Sequence, residues 1–130
     1  MISGPILITG GDGYLASLLA RRLFERTNES IYLWVRAADK DELARKQNAI
    51  LTQFPCRVSV FGGDLADSEP FQTVPFADVR VILHTAANIV FSVDEATARR
   101  VNVDGTAKLL AAARHSPRLN MLGYVSSIYV

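Results

Sequence analysis

Residues 9 to 16 read Thr9-Gly10-Gly11-Asp12-Gly13-Tyr14-Leu15-Ala16, and three glycines in such close spacing ask for an explanation. Without a Cβ, a backbone can turn sharply and bring its N–H groups close to a ligand. Ile6-Leu7-Ile8, just before the glycines, is a short apolar run bounded by Pro5, which reads as a buried strand. After them, Leu15, Leu18, Leu19 and Leu23 recur at helical spacing, with Arg21, Arg22 and Glu25 off that face. Tyr14 to Arg26 is therefore expected to be an amphipathic helix. A glycine turn between strand and helix offers free N–H groups and the positive end of the helix dipole, which is the chemistry of a phosphate site. The plainer reading is a structural strand-to-helix turn.

Other reactive side chains are sparse. The single cysteine, Cys56, excludes an intramolecular disulfide and a cysteine-rich metal site. Placed at the start of an expected strand, it reads as an inert, half-buried thiol. His84 closes an apolar run and reads as a packed strand-end residue rather than a base. His115, near the end of a helix, suits a capping role. No pair of histidines with carboxylates has metal-ligand spacing, so no metal is expected. The tyrosines are Tyr14, Tyr32, Tyr124 and Tyr129, and none has a lysine four residues on.

The elements that must hold these residues alternate regularly. Ile31 to Val35 is expected as a second strand, with Tyr32 and Trp34 as packing residues, and Asp39 to Gln53 as a charged helix burying Leu43, Ile50 and Leu51. Val58 to Phe61 is a third strand ending in Gly62-Gly63. Asp67 to Pro75 is loop or short helix, and Val79 to Leu83 is a fourth strand. A long helix from Glu95 to His115 and a fifth strand from Met121 to Ser126 complete the pattern. Five strands alternating with helices imply an α/β, doubly wound parallel sheet covered on both faces.

At 130 residues, with 49% hydrophobic residues, the chain is long enough to bury a core. A net charge of +1 leaves no electrostatic footprint for nucleic acid. Arg21, Arg22 and Arg26, like Arg99 and Arg100, read as solvated helix faces. Residues 1–5 lack the cationic stretch of a signal peptide, and no apolar run is long enough to span a membrane. A cytoplasmic setting is expected.

Thr-Gly-x-x-Gly-x-Leu-x at residues 9–16 resembles the turn of the extended short-chain dehydrogenase/reductase superfamily, with Ala16 where that family usually has glycine. Alanine adds one methyl to a helix–strand contact, so tolerance is expected. Further resemblances follow in order. Gly63-Asp64-Leu65 is similar to the segment whose Asp and Leu contact adenine. His84-Thr85-Ala86-Ala87 is similar to the His-x-Ala-Ala stretch behind the cofactor. Val101-Asn102-Val103-Asp104-Gly105-Thr106 resembles the Asn-Val-x-Gly-Thr stretch of the long helix, and Tyr124-Val125-Ser126-Ser127 the strand end that carries a catalytic Ser or Thr. Val35-Arg36-Ala37, Ala86-Ala87-Asn88-Ile89-Val90-Phe91 and Tyr124-Val125-Ser126-Ser127-Ile128-Tyr129-Val130 are most similar to the thioester-reductase and fatty-acyl-reductase branch, the male-sterility-like NAD-binding group.

The resemblance implies a Rossmann domain over residues 1–130 that binds a nicotinamide dinucleotide through Thr9, Gly10, Asp12, Gly13, Tyr14, Leu15, Arg36, Asp64, Leu65, Ala86, Ala87, Asn88 and Asn102. An acid at the end of the second strand would favour NAD, whereas Arg36 can pair with a 2′-phosphate, so NADP(H) is preferred over NAD(H). The implied reaction is hydride transfer to the carbonyl of an acyl thioester delivered by CoA or an acyl carrier protein. Ser127 would orient that carbonyl. In the family a Tyr-x-x-x-Lys pair gives the proton, and this chain lacks it. It is therefore expected to be a cofactor-binding part of a longer reductase, inactive alone, with an open sheet edge that invites a homodimer. The alternatives are a non-catalytic NADP(H)-binding module, part of a sugar-nucleotide epimerase or dehydratase, or a remnant with no ligand.

Overall fold

A computed structural model of the chain describes residues 2–126. Five strands form one parallel sheet: β1 Ile6–Thr9, β2 Ile31–Arg36, β3 Val58–Gly63, β4 Val81–His84 and β5 Met121–Tyr124, in the order β3-β2-β1-β4-β5. Helix α1 (Tyr14–Arg26) links β1 to β2, and α2 (Lys40–Leu51) links β2 to β3. Between β4 and β5 run α3 (Glu95–Ala98), a π-helical stretch over Arg99–Asp104 and α4 (Gly105–Ala113). The expected doubly wound sheet is therefore the observed one, with β1 at its centre. Its four residues are all buried, and Ile6 sits beside Ile31 on one side and Val81 on the other.

Alternation along the strands divides the core between the two faces. Ile6, Ile8, Leu33 and Val35 face α1 and α2 together with Ile50, Phe54 and Val60. Leu7, Trp34 and Ile82 face the other way, against Leu109, Phe71, Val74 and Phe76. Fully burying one such aliphatic side chain contributes about 1.5–3 kcal/mol, so both faces are needed to hold the sheet.

Several expectations change in detail. The buried stripe of α1 is Ala16 and Ala20, with Leu19 and Leu23 at its margin, whereas Leu15 and Leu18 are exposed. Hydrophobicity favours the leucines, but the close approach of helix to sheet selects the smallest side chains. Leu51 of α2 is likewise exposed, and Ile50 is its buried residue. Cys56 lies exposed in the bend before β3, not half-buried in a strand. Gly62 and Gly63 belong to β3, paired with Val35 and Arg36. The segment 67–75 is a turn-rich loop that nevertheless supplies core residues, anchored by Trp34 Nε1–H donating to the carbonyl of Pro70 at 2.9 Å. His115 is exposed after the end of α4, and the neighbouring Ser116 hydroxyl donates to the carbonyl of Val79, tying this end of the helix to the chain entering β4.

The long helix is not uniform either. Its π-helical stretch replaces the ordinary hydrogen-bond spacing over Arg99–Asp104. Such an interruption widens a helix by one residue per turn and is frequent at functional sites. Here Thr106 meets His84 at the end of β4, and Asn102 meets Asn88 in the segment that follows.

Candidate functional site

In this strand order the chain leaves β1 toward β2 on one side, and β4 and β5 lie on the other. The loops after β1 and β4 therefore separate, and open parallel sheets bind ligands in the crevice this creates. A cleft of about 710 Å³ lies there, lined by Gly10 and residues 12–16, by Trp34 and Arg36, by residues 64–66 and 85–90, and by Thr97, Arg100, Val101 and Val125.

The first wall is the glycine turn. Gly10 has φ +74°, in the left-handed region, and a Cβ there would lie 2.9 Å from the Thr85 hydroxyl and 3.1 Å from the Ala86 backbone. Only glycine fits both demands. Gly13 then caps α1 without a side-chain bond, and no acidic residue occupies the helix's first turn. By contrast, Asp39 caps α2 by accepting from the Glu42 N–H, and Asp41 and Glu42 fill its first turn. Of these two helix N-termini, the one facing the cleft keeps its donors free for an anion.

Charge gathers at the β2 end. Arg36 Nε donates to Asp64 Oδ2 at 3.2 Å, while the arginine side chain stays 75% exposed. The other Asp64 oxygen accepts from the Ala66 N–H. That backbone bond, then Arg36 and Arg100, hold its carboxyl below the usual aspartate range against the opposing effect of burial. Lys46 of α2 lies 2.8 Å from Asp12 and donates to the carbonyl of Arg36 at 2.6 Å, so it ties the glycine turn to the end of β2.

The second wall, residues 85–90, is suspended by side chains. Thr9 is fully buried, and its hydroxyl oxygen accepts from the N–H groups of Thr85 and Ala86. Asn102 Oδ1 accepts from the Asn88 N–H at 2.7 Å, and its Nδ2 donates to the Asn88 carbonyl at 3.1 Å. Beyond this clamp Ile89, Val90 and Phe91 stand exposed at the mouth.

The structure thus brings Gly10, Asp12, Gly13, Tyr14, Leu15, Arg36, Asp64, Leu65, Ala86, Ala87 and Asn88 to one cleft. Thr9 and Asn102, expected as cofactor contacts, are not among the lining residues of the cleft, and their side chains hold its second wall. Ser127 lies outside the described residues. Sequence reasoning missed Arg100, which lines the cleft rather than serving only as part of a solvated face, and Trp34, which both packs and borders the cleft. The charge run at Arg99-Arg100 was the available signal, but its facing depended on the π-helical stretch.

These residues fit a dinucleotide. A glycine turn packed too closely on its neighbours to admit a Cβ and an uncapped helix end suit a pyrophosphate, the largely buried Leu65 borders the cleft with apolar surface, and an exposed guanidinium lies beside it. Fold and site together define a Rossmann-type NAD(P)-binding domain. The family of male sterility proteins, an NAD-binding family, matches residues 8–130, and the chain belongs to it, on the thioester-reductase branch of the extended short-chain dehydrogenases/reductases. Fatty acyl-CoA reductase wat of Drosophila melanogaster is 25% identical over 95% of this chain and 28% of its own length. The thiolation–reductase di-domain of an archaeal non-ribosomal peptide synthetase superposes with TM-score 0.80 at 19% identity, covering 98% of this chain and 36% of the other. The terminal R domain of the myxalamid PKS-NRPS pathway gives TM-score 0.76 at 26% identity, over 95% and 34% of the two chains. The chain spans about a third of the length of such relatives. Among the described residues, no helix is long and apolar enough to cross a membrane.

Proposed function

We propose that this chain binds NADPH in preference to NADH and serves the reduction of an acyl thioester. The observation that carries the cofactor preference is Arg36 at the end of β2, paired with Asp64 through Nε only, which leaves its terminal nitrogens for a 2′-phosphate. An acidic side chain there would repel that phosphate. The bound cofactor supplies a hydride. The chain's own residues bind its phosphates at the α1 N-terminus, place adenine beside Asp64 and Leu65, and wall the cleft with Ala86, Ala87 and Asn88. Ser127 is assigned the orienting of the substrate carbonyl, whose oxygen gains negative charge during the transfer and needs a donor. A thioester substrate, carried by CoA or by a carrier protein, is supported by the fatty acyl-CoA reductase and the thiolation–reductase di-domain that the chain resembles.

Calorimetric titration of the chain with NADPH and NADH tests this reading, with Arg36→Ala alongside. Charge-assisted hydrogen bonds contribute about 1.5–3 kcal/mol, so the variant is expected to lose roughly 10- to 100-fold in NADPH affinity and little for NADH. Equal affinity of the parent chain for both cofactors would remove the NADP preference. We also infer a homodimer through β5, which pairs on one side only among the described residues and exposes Met121 and Tyr124. A purely monomeric sedimentation profile at high concentration would count against it.

A further inference from the structure

The ring of His84 is buried at the end of β4, stacked on Tyr124 of β5 with ring centroids 5.7 Å apart. Each ring nitrogen meets a threonine hydroxyl: Nδ1 lies 2.6 Å from Thr9 Oγ1, and Nε2 lies 3.0 Å from Thr106 Oγ1. The two ends determine the proton's position independently. Thr9 Oγ1 already accepts two bonds, from the N–H groups of Thr85 and Ala86, so its own hydrogen must point to Nδ1. Thr106 donates its hydroxyl hydrogen to the carbonyl of Asn102 at 2.6 Å, so it can only accept from Nε2–H. Both ends require the same neutral tautomer, and burial favours the neutral ring as well.

This ring joins the two devices that suspend the second wall. On one side, Thr9 holds Thr85 and Ala86, and on the other, Thr106 bonds to the backbone of Asn102, whose side chain holds Asn88. We propose that His84, fixed as its Nε2–H tautomer between Thr9 and Thr106, is the positioning residue that sets the second wall of the cleft against the glycine turn. The inference rests on the dinucleotide reading only for its effect on affinity. A histidine that merely filled space would need neither nitrogen satisfied in one sense, and its loss would lower global stability without loosening this wall in particular.

Long-range ¹H–¹⁵N spectra of the full chain would read the tautomer, and amide exchange would read the wall. The expected result is an unprotonated Nδ1, and in His84→Leu a faster exchange at Ala86 and Asn88 than the global loss of stability explains. The same variant should lose roughly five- to tenfold in affinity for NADPH and NADH alike, about one hydrogen bond's worth. His84→Asn, whose Oδ1 can still accept from Thr9, should recover most of both. Thr106→Val and Thr106→Ser form a second pair with the same expected contrast, should His84→Leu not fold, because Thr106 reaches the second wall only through His84 and the Asn102 carbonyl. An Nδ1–H tautomer, or unchanged local exchange in folded His84→Leu or Thr106→Val, would overturn the proposal. Failure of the parent chain to bind either dinucleotide would overturn the cofactor reading while leaving the tautomer and exchange results standing.

Discussion

The two walls of the cleft are built on opposite plans. The glycine turn is local: Gly10, Gly13 and the start of α1 are consecutive, and their geometry follows from residue types in sequence. The wall from Thr85 to Val90 is irregular backbone, held by Thr9 from the central strand and by Asn102 from the π-helical stretch. One wall owes its shape to missing side chains, the other to side chains placed far away in the chain. The first should therefore fail when an atom is added, the second when a hydrogen bond is removed.

Gly10→Val is expected to have the largest effect. A β-branched residue at φ +74°, with its Cβ against Thr85 and Ala86, combines strain of about 1–3 kcal/mol with intrusion into the second wall. Calorimetry should find no measurable affinity for either dinucleotide, and retention of binding would show that the turn is only structural. Arg36→Ala ranks next, because its loss is confined to NADPH and leaves both walls intact. Asn102→Ala should weaken both cofactors about equally, by roughly tenfold, since it leaves the N–H and carbonyl of Asn88 without partners. A selective loss of one cofactor in that variant would mean that Asn102 touches the ligand after all.

Acid should act on the second wall before it acts on the charged rim at the end of β2. Burial lowers the pKa of His84 below its ordinary 6.5. In this range the unfolded chain binds the proton more readily than the folded one. The stability that neutral His84 contributes is therefore complete above about 6.5, and it declines as pH falls from there through the folded value. Asp64, with its lowered pKa, holds the charged rim until pH falls below the ordinary aspartate value of 3.8. Urea unfolding across pH 5 to 8 should show a decline toward acid in the parent chain that is absent in His84→Asn. Smallest of all is Ala16→Gly, which restores the residue usual in the resembled family. Binding should stay within about twofold, while the exchange costs about 1 kcal/mol of helix stability, read by the same unfolding curves.

Sequence reasoning reached the sheet and its alternation with helices, because short-range pattern carries that information, and the family resemblance supplied about half of the residues that line the cleft. It misjudged α1, where Leu15 and Leu18 looked like the buried face. Helix-to-sheet distance gave that place to Ala16 and Ala20, and periodicity does not report distance. Thr9 and Asn102, read through the resemblance as cofactor contacts, hold the second wall by hydrogen bonds, and position in a motif does not distinguish a residue that touches a ligand from one that supports the wall.

What residue order alone determined here is whatever depends on near neighbours: the buried strand before the glycines, the glycine turn that follows it, the charged helix after β2 and the cation at the end of β2. Tertiary structure decided the rest. Thr9 and His84 are 75 residues apart, and Arg36 and Asp64 are 28 apart. These pairs meet only when β1 lies beside β4 and β2 beside β3 in parallel register. The tautomer of one ring and the pairing of one guanidinium are consequences of that register, because hydrogen bonds have a reach of about 3 Å and the chain must fold to bring them within it.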